Sequence, residues 1–175
     1  VLHGFQSSGD SFQGFPFYAS DKIRSSPAVG DMNNDGLNEI IFGTYDGKLY
    51  ILGNTGDLEL MFAASGNIIG SPSLADLDND NDLEIVFVTS VGNDNGDIYA
   101  IHHDGSVMDN FPISLNGKML VGPALGDIEN DNIMDIVVCT WDEKIYAFDY
   151  LGNMKPGFPF VSTFRFNTPA TLVDL

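Results

Sequence analysis

The stretch DMNNDGLNEI, residues 31–40, packs three acids and three amides into ten positions and runs straight into an apolar segment. It recurs. SPAVGDMNNDGLNEIIF starts at Ser26, SPSLADLDNDNDLEIVF at Ser71 and GPALGDIENDNIMDIVV at Gly122, and TPATLVDL at Thr168 opens a fourth copy. The leading acids Asp31, Asp76, Asp127 and Asp174 are 45, 51 and 47 residues apart. Self-similarity at a period of this size signals a repeat architecture, and that outranks any local reading.

Each repeat carries strand signals. A short strand of small residues begins near a proline (Pro27, Pro72, Pro123, Pro169). After the acidic loop comes a β-branched and aromatic run, EIIFGTY, EIVFVTS or DIVVCTW, then a third strand, KLYIL, DIYAI or KIYAF. Turns rich in Gly, Asn and Asp follow, and a fourth strand is expected to end near Phe62, Phe111 or Phe158. No segment has helical period or caps. Four short antiparallel strands per unit predict an all-β protein built of β-propeller blades. The small residues of the first strand suit the crowded channel, and the larger ones of the second and third strands suit the space between blades. A β-solenoid, the main alternative, lacks this hairpin rhythm. The expected units are residues 1–25 (the end of a blade), 26–70, 71–121 and 122–167 (three whole repeats) and 168–175 (the start of a fourth), about three and a half blades in one partial propeller. The chain is therefore expected to be a piece of a longer protein, or an arc completed by another copy.

Aligned by their leading acid, the loops offer oxygen-bearing side chains at positions 1, 3, 5 and 9: Asp31, Asn33, Asp35 and Glu39; Asp76, Asp78, Asp80 and Glu84; Asp127, Glu129, Asp131 and Asp135. Position 7 would lend a backbone carbonyl, from Leu37, Asp82 or Ile133. Calcium takes six to eight oxygen ligands, and alternate residues of a tight loop can converge on it. Position 6 is Gly36, Asn81 or Asn132, types that tolerate left-handed backbone. Solvated turns also favour Asp, Asn and Gly, but three loops in register carry ligand types at every one of these positions. Hard oxygens fit calcium over zinc. An EF-hand would need a bidentate acid at position 12, where Phe42, Phe87 and Val138 stand inside strands. Glu129, longer than its equivalents, makes the third loop the odd member.

The composition agrees. With 25 acids against 7 bases, the formal net charge is −18. That opposes nucleic-acid binding, which needs cations to neutralise phosphate, and it favours cations or basic partners. Thirteen Phe, six Tyr and one Trp exclude a disordered acidic tail. Cys139 is alone, so no internal disulfide can form, and no apolar run reaches the length of a membrane span. The motifs of hydrolases, zinc proteases and phosphate-binding loops are absent.

The pattern SPAVGDMNNDGLNEIIFGTYDGKLYIL resembles the FG-GAP or VCBS repeat of the integrin α-subunit propeller and of many secreted bacterial proteins, and the resemblance runs over nearly the whole chain. It implies an extracellular or cell-surface propeller with calcium (Ca2+) at three loops, serving adhesion or binding of a protein or carbohydrate ligand without catalysis. The fourth copy departs from it, with Asp174 five residues after its proline rather than four. The alternatives are a secreted propeller enzyme acting on polysaccharide and a structural arc that self-assembles into a ring or filament. In this family the face opposite the calcium loops commonly takes the ligand. Its candidates here are Tyr45, Asp46, Trp141 and Asp142, with the VGNDNG insertion at residues 91–96. His102 and His103 are expected to be plain turn residues, Cys139 a buried small residue, and the Phe-Pro pairs elements that turn the chain into the next blade.

Overall fold

In the computed structural model, which describes residues 1–172, the expected hairpins are all present and no helix occurs among the described residues. None is therefore long and apolar enough to cross a membrane. The first sheet contains β1 (Ala28–Gly30), β2 (Glu39–Gly43), β3 (Lys48–Leu52) and β4 (Leu58–Ala63). The second contains β5 (Ser73–Ala75), β6 (Glu84–Val91), β7 (Asn95–Ile101) and β8 (Ile113–Asn116). The third contains β9 (Ala124–Gly126), β10 (Asp135–Thr140), β11 (Lys144–Phe148) and β12 (Phe160–Val161). Each is an antiparallel meander in chain order. The three blades form an arc and do not close. Ahead of them, Leu2 bridges Phe17 and Phe5 bridges Ser11, the remnant of a further hairpin.

Side chains alternate along a strand, so the second and third strands of each blade feed two cores. Ile41, Leu49 and Ile51 of the first blade pack with Ile85, Phe87, Tyr99 and Ile101 of the second around Ile68. The other face of the second blade, Val86, Val88, Ile98 and Ala100, meets Ile136, Val138, Tyr146 and Phe148 around Met119. Phe42, Tyr50 and Leu52 are covered by Leu2, Phe15 and Phe17. An aromatic pair recurs across the second and third strands: Phe42 and Tyr50 stack at 5.3 Å, and Phe87 and Tyr99 at 5.0 Å. Cys139 is buried, and burial pushes its thiol up.

The first strands line the axis and touch one another. Their small residues have a steric cause: a methyl group on Gly30 would lie 2.9 Å from Leu74 Cδ1 of the next blade, and one on Gly126 would lie 2.9 Å from Leu172 Cδ1. Ala75 and Leu125 share the intervening cluster. Leu172 of the expected fourth copy thus packs against the first strand of the third blade, and Asp174 lies outside the described residues.

The structure corrects the expected fourth strands of the second and third blades. They do not end at Phe111 and Phe158 but start after the Phe-Pro pairs, at Ile113 and Phe160. Asn110 and Gly157, both at positive φ, make an additional turn there, and Phe111 is buried as an anchor. The pair therefore leads into the last strand of its own blade, not into the next blade. The first blade has no such pair, and β4 runs directly from its turn.

Candidate metal centre

All three acidic loops join first to second strands and share one hydrogen-bond frame. The carboxylate at position 1 accepts from the backbone N–H groups of positions 5 and 6: Asp31 from Asp35 and Gly36, Asp76 from Asp80 and Asn81, Asp127 from Asp131 and Asn132. The carboxylate at position 5 accepts from the N–H of position 7: Asp35 from Leu37, Asp80 from Asp82, Asp131 from Ile133, at 2.8–2.9 Å. These bonds hold Asp127 below the usual carboxylate range, although burial works the other way. Position 6 is left-handed as expected, with φ of 87°, 78° and 67° at Gly36, Asn81 and Asn132. Position 4 is left-handed too. The asparagines there, Asn34, Asn79 and Asn130, carry this signal in all three repeats of the sequence.

Position 9 is the buried member. Glu39 is 4% exposed, and Glu84 and Asp135 are fully enclosed. One oxygen of each accepts the N–H of position 2, from Met32 at 2.8 Å, Leu77 at 2.8 Å and Ile128 at 3.0 Å. A buried carboxylate requires a counter-charge or full hydrogen bonding, so the surroundings of the second oxygen matter. In the first blade they include Glu59, whose carboxyl is pushed up by burial and then by the charges of Glu39, Asp57 and Asp35. In the second blade His102 Nδ1 stands 3.2 Å from Glu84 Oε1. Burial, and then the Asp78 charge, raise the Glu84 carboxyl against the opposing pull of the Leu77 N–H and of His102. In the third blade the Lys155 ammonium lies 2.6 Å from Asp135 Oδ1 and 2.8 Å from Glu129 Oε2. His103 pairs with Asp82 at 3.2 Å. The two histidines are therefore not plain turn residues, though each meets a different acid.

Calcium with oxygens at 2.3–2.6 Å has opposite ligands about 5 Å apart. Asp76, Asp78 and Asp80 each bring a carboxylate oxygen within 4.8 Å of the others, and Asp78, Glu84 and His102 make a second such group. The second loop thus fits a divalent cation, and the first shares its frame with Asn33 in place of one acid. The third fits less well, because Lys155 already stands between two of its expected ligands.

Residues 31–87, which span the first loop, the whole first blade and the start of the second, match the model of a known repeat family. The matching model is that of the FG-GAP-like repeat. A search among curated proteins returns no match. Among solved structures, the chain is similar to the C-terminal domain of Pseudomonas aeruginosa PilY1 (20% identity, 85% of this chain, 36% of that one, TM-score 0.63). It is also similar to BamB from Moraxella catarrhalis (17%, 79% and 37%, TM-score 0.52) and to BBS1N in complex with ARL6DN (18%, 81% and 41%, TM-score 0.54). These likenesses carry the propeller fold, and the chain spans well under half the length of each of those three.

At the opposite end of the blades lie the turns between second and third strands. Tyr45 and Trp141 occupy equivalent positions, 39% and 37% exposed, each beneath a guanidinium: Arg24 at 5.5 Å and Arg165 at 4.8 Å. Asp46 is fully engaged. It accepts from the Ser20 hydroxyl at 2.7 Å and the Thr44 hydroxyl at 2.6 Å, and pairs with Lys48 at 3.0 Å. These bonds, Ser20 first, lower its pKa to about 2. Asp142 pairs with Lys144, its counterpart. The 91–96 insertion lengthens the β6–β7 hairpin. Lys22, Arg24, Lys48, Lys118, Lys144 and Arg165 all sit at this end, whereas Lys155 is the one base on the acidic-loop end.

Proposed function

We propose that the chain is part of an extracellular or cell-surface β-propeller whose acidic loops are clamped by calcium, and that the propeller binds a protein or carbohydrate ligand without catalysing a reaction. The observation that carries this reading is the repeated loop frame, which ends each time on a buried carboxylate. Five acids, Asp76, Asp78, Asp80, Asp82 and Glu84, share nine residues of the second loop, and a divalent cation relieves that repulsion and ties β5 to β6. In a chain with one cysteine, such a clamp does the work of a disulfide. Asp31, Asn33, Asp35 and Glu39 would hold the ion in the first loop, with the Leu37 carbonyl. In the second loop the same five acids would do so.

The opposite end supplies half-exposed Tyr45 and Trp141, flat surfaces suited to stacking on a sugar or a side chain. Asp46 and Asp142 position these turns rather than reaching for ligand. Apolar side chains remain exposed at Val29 and Phe5, in the first blade and the hairpin ahead of it, and at Phe160 and Val161 in the last blade. Propellers have four to eight blades, so further blades, from a longer chain or another copy, would cover them.

The test is a thermal melt in millimolar calcium, in excess chelator and in magnesium. A calcium-specific rise is expected, and identical melts would overturn the clamp. A glycan and matrix-protein array addresses the ligand, and product release from acidic polysaccharides would overturn the non-catalytic part.

A further inference from the structure

One structural position carries three different charges in three blades. Three residues beyond the glycine of the turn after the third strand (Gly56, Gly105, Gly152) stand Glu59, Met108 and Lys155. The first faces the acids of its loop, the second is neutral, and the third sets an ammonium between positions 3 and 9 of its loop. We propose that the Lys155 ammonium is the built-in cation of the third loop, so that this loop neither needs nor holds calcium while the first two loops depend on it.

The geometry is specific. Asp135 Oδ1 is buried without any hydrogen-bonding partner apart from this ion pair. The Lys155 side chain is only 11% exposed, and its backbone N–H is anchored to the Ala147 carbonyl at 2.8 Å, so the ammonium is delivered from a fixed base. An ammonium has three donors, and two already meet Asp135 and Glu129. A calcium ion using the same two carboxylates would sit within a few ångströms of a fixed positive charge, in a partly desolvated place where like charges repel strongly. If it expelled the lysine, it would have to repay the loss of a buried pair. Glu129 is the sequence counterpart of the change: its longer side chain reaches an ammonium that Asp or Asn at position 3 of the other loops has no need to meet.

The inference rests on the calcium reading of the other two loops, and the experiment separates the two. Bound calcium is counted by native mass spectrometry and by calorimetric titration of the protein. The wild type is expected to hold two ions, Asp76→Asn one fewer, and Asp127→Asn still two. Lys155→Met, which installs the residue of the second blade, is expected to gain a third ion and a melting temperature more dependent on calcium, whereas Lys155→Arg stays at two. Three ions in the wild type, or no gain in a Lys155→Met protein that remains folded in calcium, would overturn the inference and leave the clamp standing. No calcium in any variant would overturn both. If Lys155→Met folds only when calcium is added, that rescue itself supports the proposal, because the metal then replaces the missing ammonium.

Discussion

The two ends of the blades treat the same residue in opposite ways. At the end bearing the turns between second and third strands, the aspartates are held by side chains, and Asp46 and Asp142 each pair with a lysine. Asp46 is bound by two hydroxyls and Lys48, and Asp97 is bound by Ser65 and Ser114. Ser20 and Ser65 are in turn held by the hydroxyls of Tyr50 and Tyr99, which ties the links between blades to the third strands. At the acidic-loop end, the aspartates at positions 1 and 5 receive backbone N–H groups, which fix their direction but carry no counter-charge, and the side-chain partners are His103 at Asp82, His102 at Glu84 and Lys155 at Asp135 and Glu129. The number of acids therefore says little about function. Whether the protein supplies their counter-charge says a great deal.

The sharpest way to break this contrast is to remove one aspartate from each end. Asp76→Ala should cost about 1–2 kcal/mol in chelator, from two lost N–H acceptors, and about 4 kcal/mol more when calcium is a thousandfold above its Kd. Denaturant melts in both conditions read the difference, and an equal cost in both would erase the distinction. Asp46→Ala should cost about 1–2 kcal/mol after allowance for its partial exposure, and the same in calcium and in chelator. Acid provides a finer probe. The Asp46 carboxyl is lowered from 3.8 to about 2, so the folded state resists its protonation. Its stabilisation is complete above about pH 4 and disappears as pH falls toward 2. Asp46→Asn should therefore flatten the stability profile in that window, and an unchanged slope would show the bonds to be idle. The smallest effect belongs to Lys48→Met. That pair is solvent-exposed, so a slight drop in melting temperature at low salt should vanish at high salt.

Most of this architecture was legible because it repeats. The 45-, 51- and 47-residue spacings located the blades, the small residues of the first strands located the axis, and Gly36, Asn81 and Asn132 located the left-handed turn. What was not legible comes from contacts across a blade. His102 reaches Glu84 from 18 residues away, and Lys155 reaches Glu129 from 26. Neither spacing carries a local signal, since the third strand must fold back before those side chains meet. The fourth strands of the second and third blades start later than the residue pattern suggests for a related reason. Phe111 and Phe158 look like strand residues, but Asn110 and Gly157 at positive φ interrupt the run just before them. Glu59, Met108 and Lys155 at one repeat position mark the third loop as different in the sequence itself.

The glycine-to-leucine contact along the axis has a consequence for assembly. Gly30 receives Leu74, and Gly126 receives Leu172, so at these two joints one strand offers a socket and the next a plug. Val29 is the plug of the first blade, and it is 61% exposed. Such a joint is head-to-tail: it has no self-complementary face and can be repeated indefinitely until rotation brings the last socket round to the first plug. Blade number in this protein is therefore a matter of the angle turned at each joint. A substitution that changes that angle by a few degrees, such as a larger residue in place of Gly30, would alter whether a ring of these blades shuts.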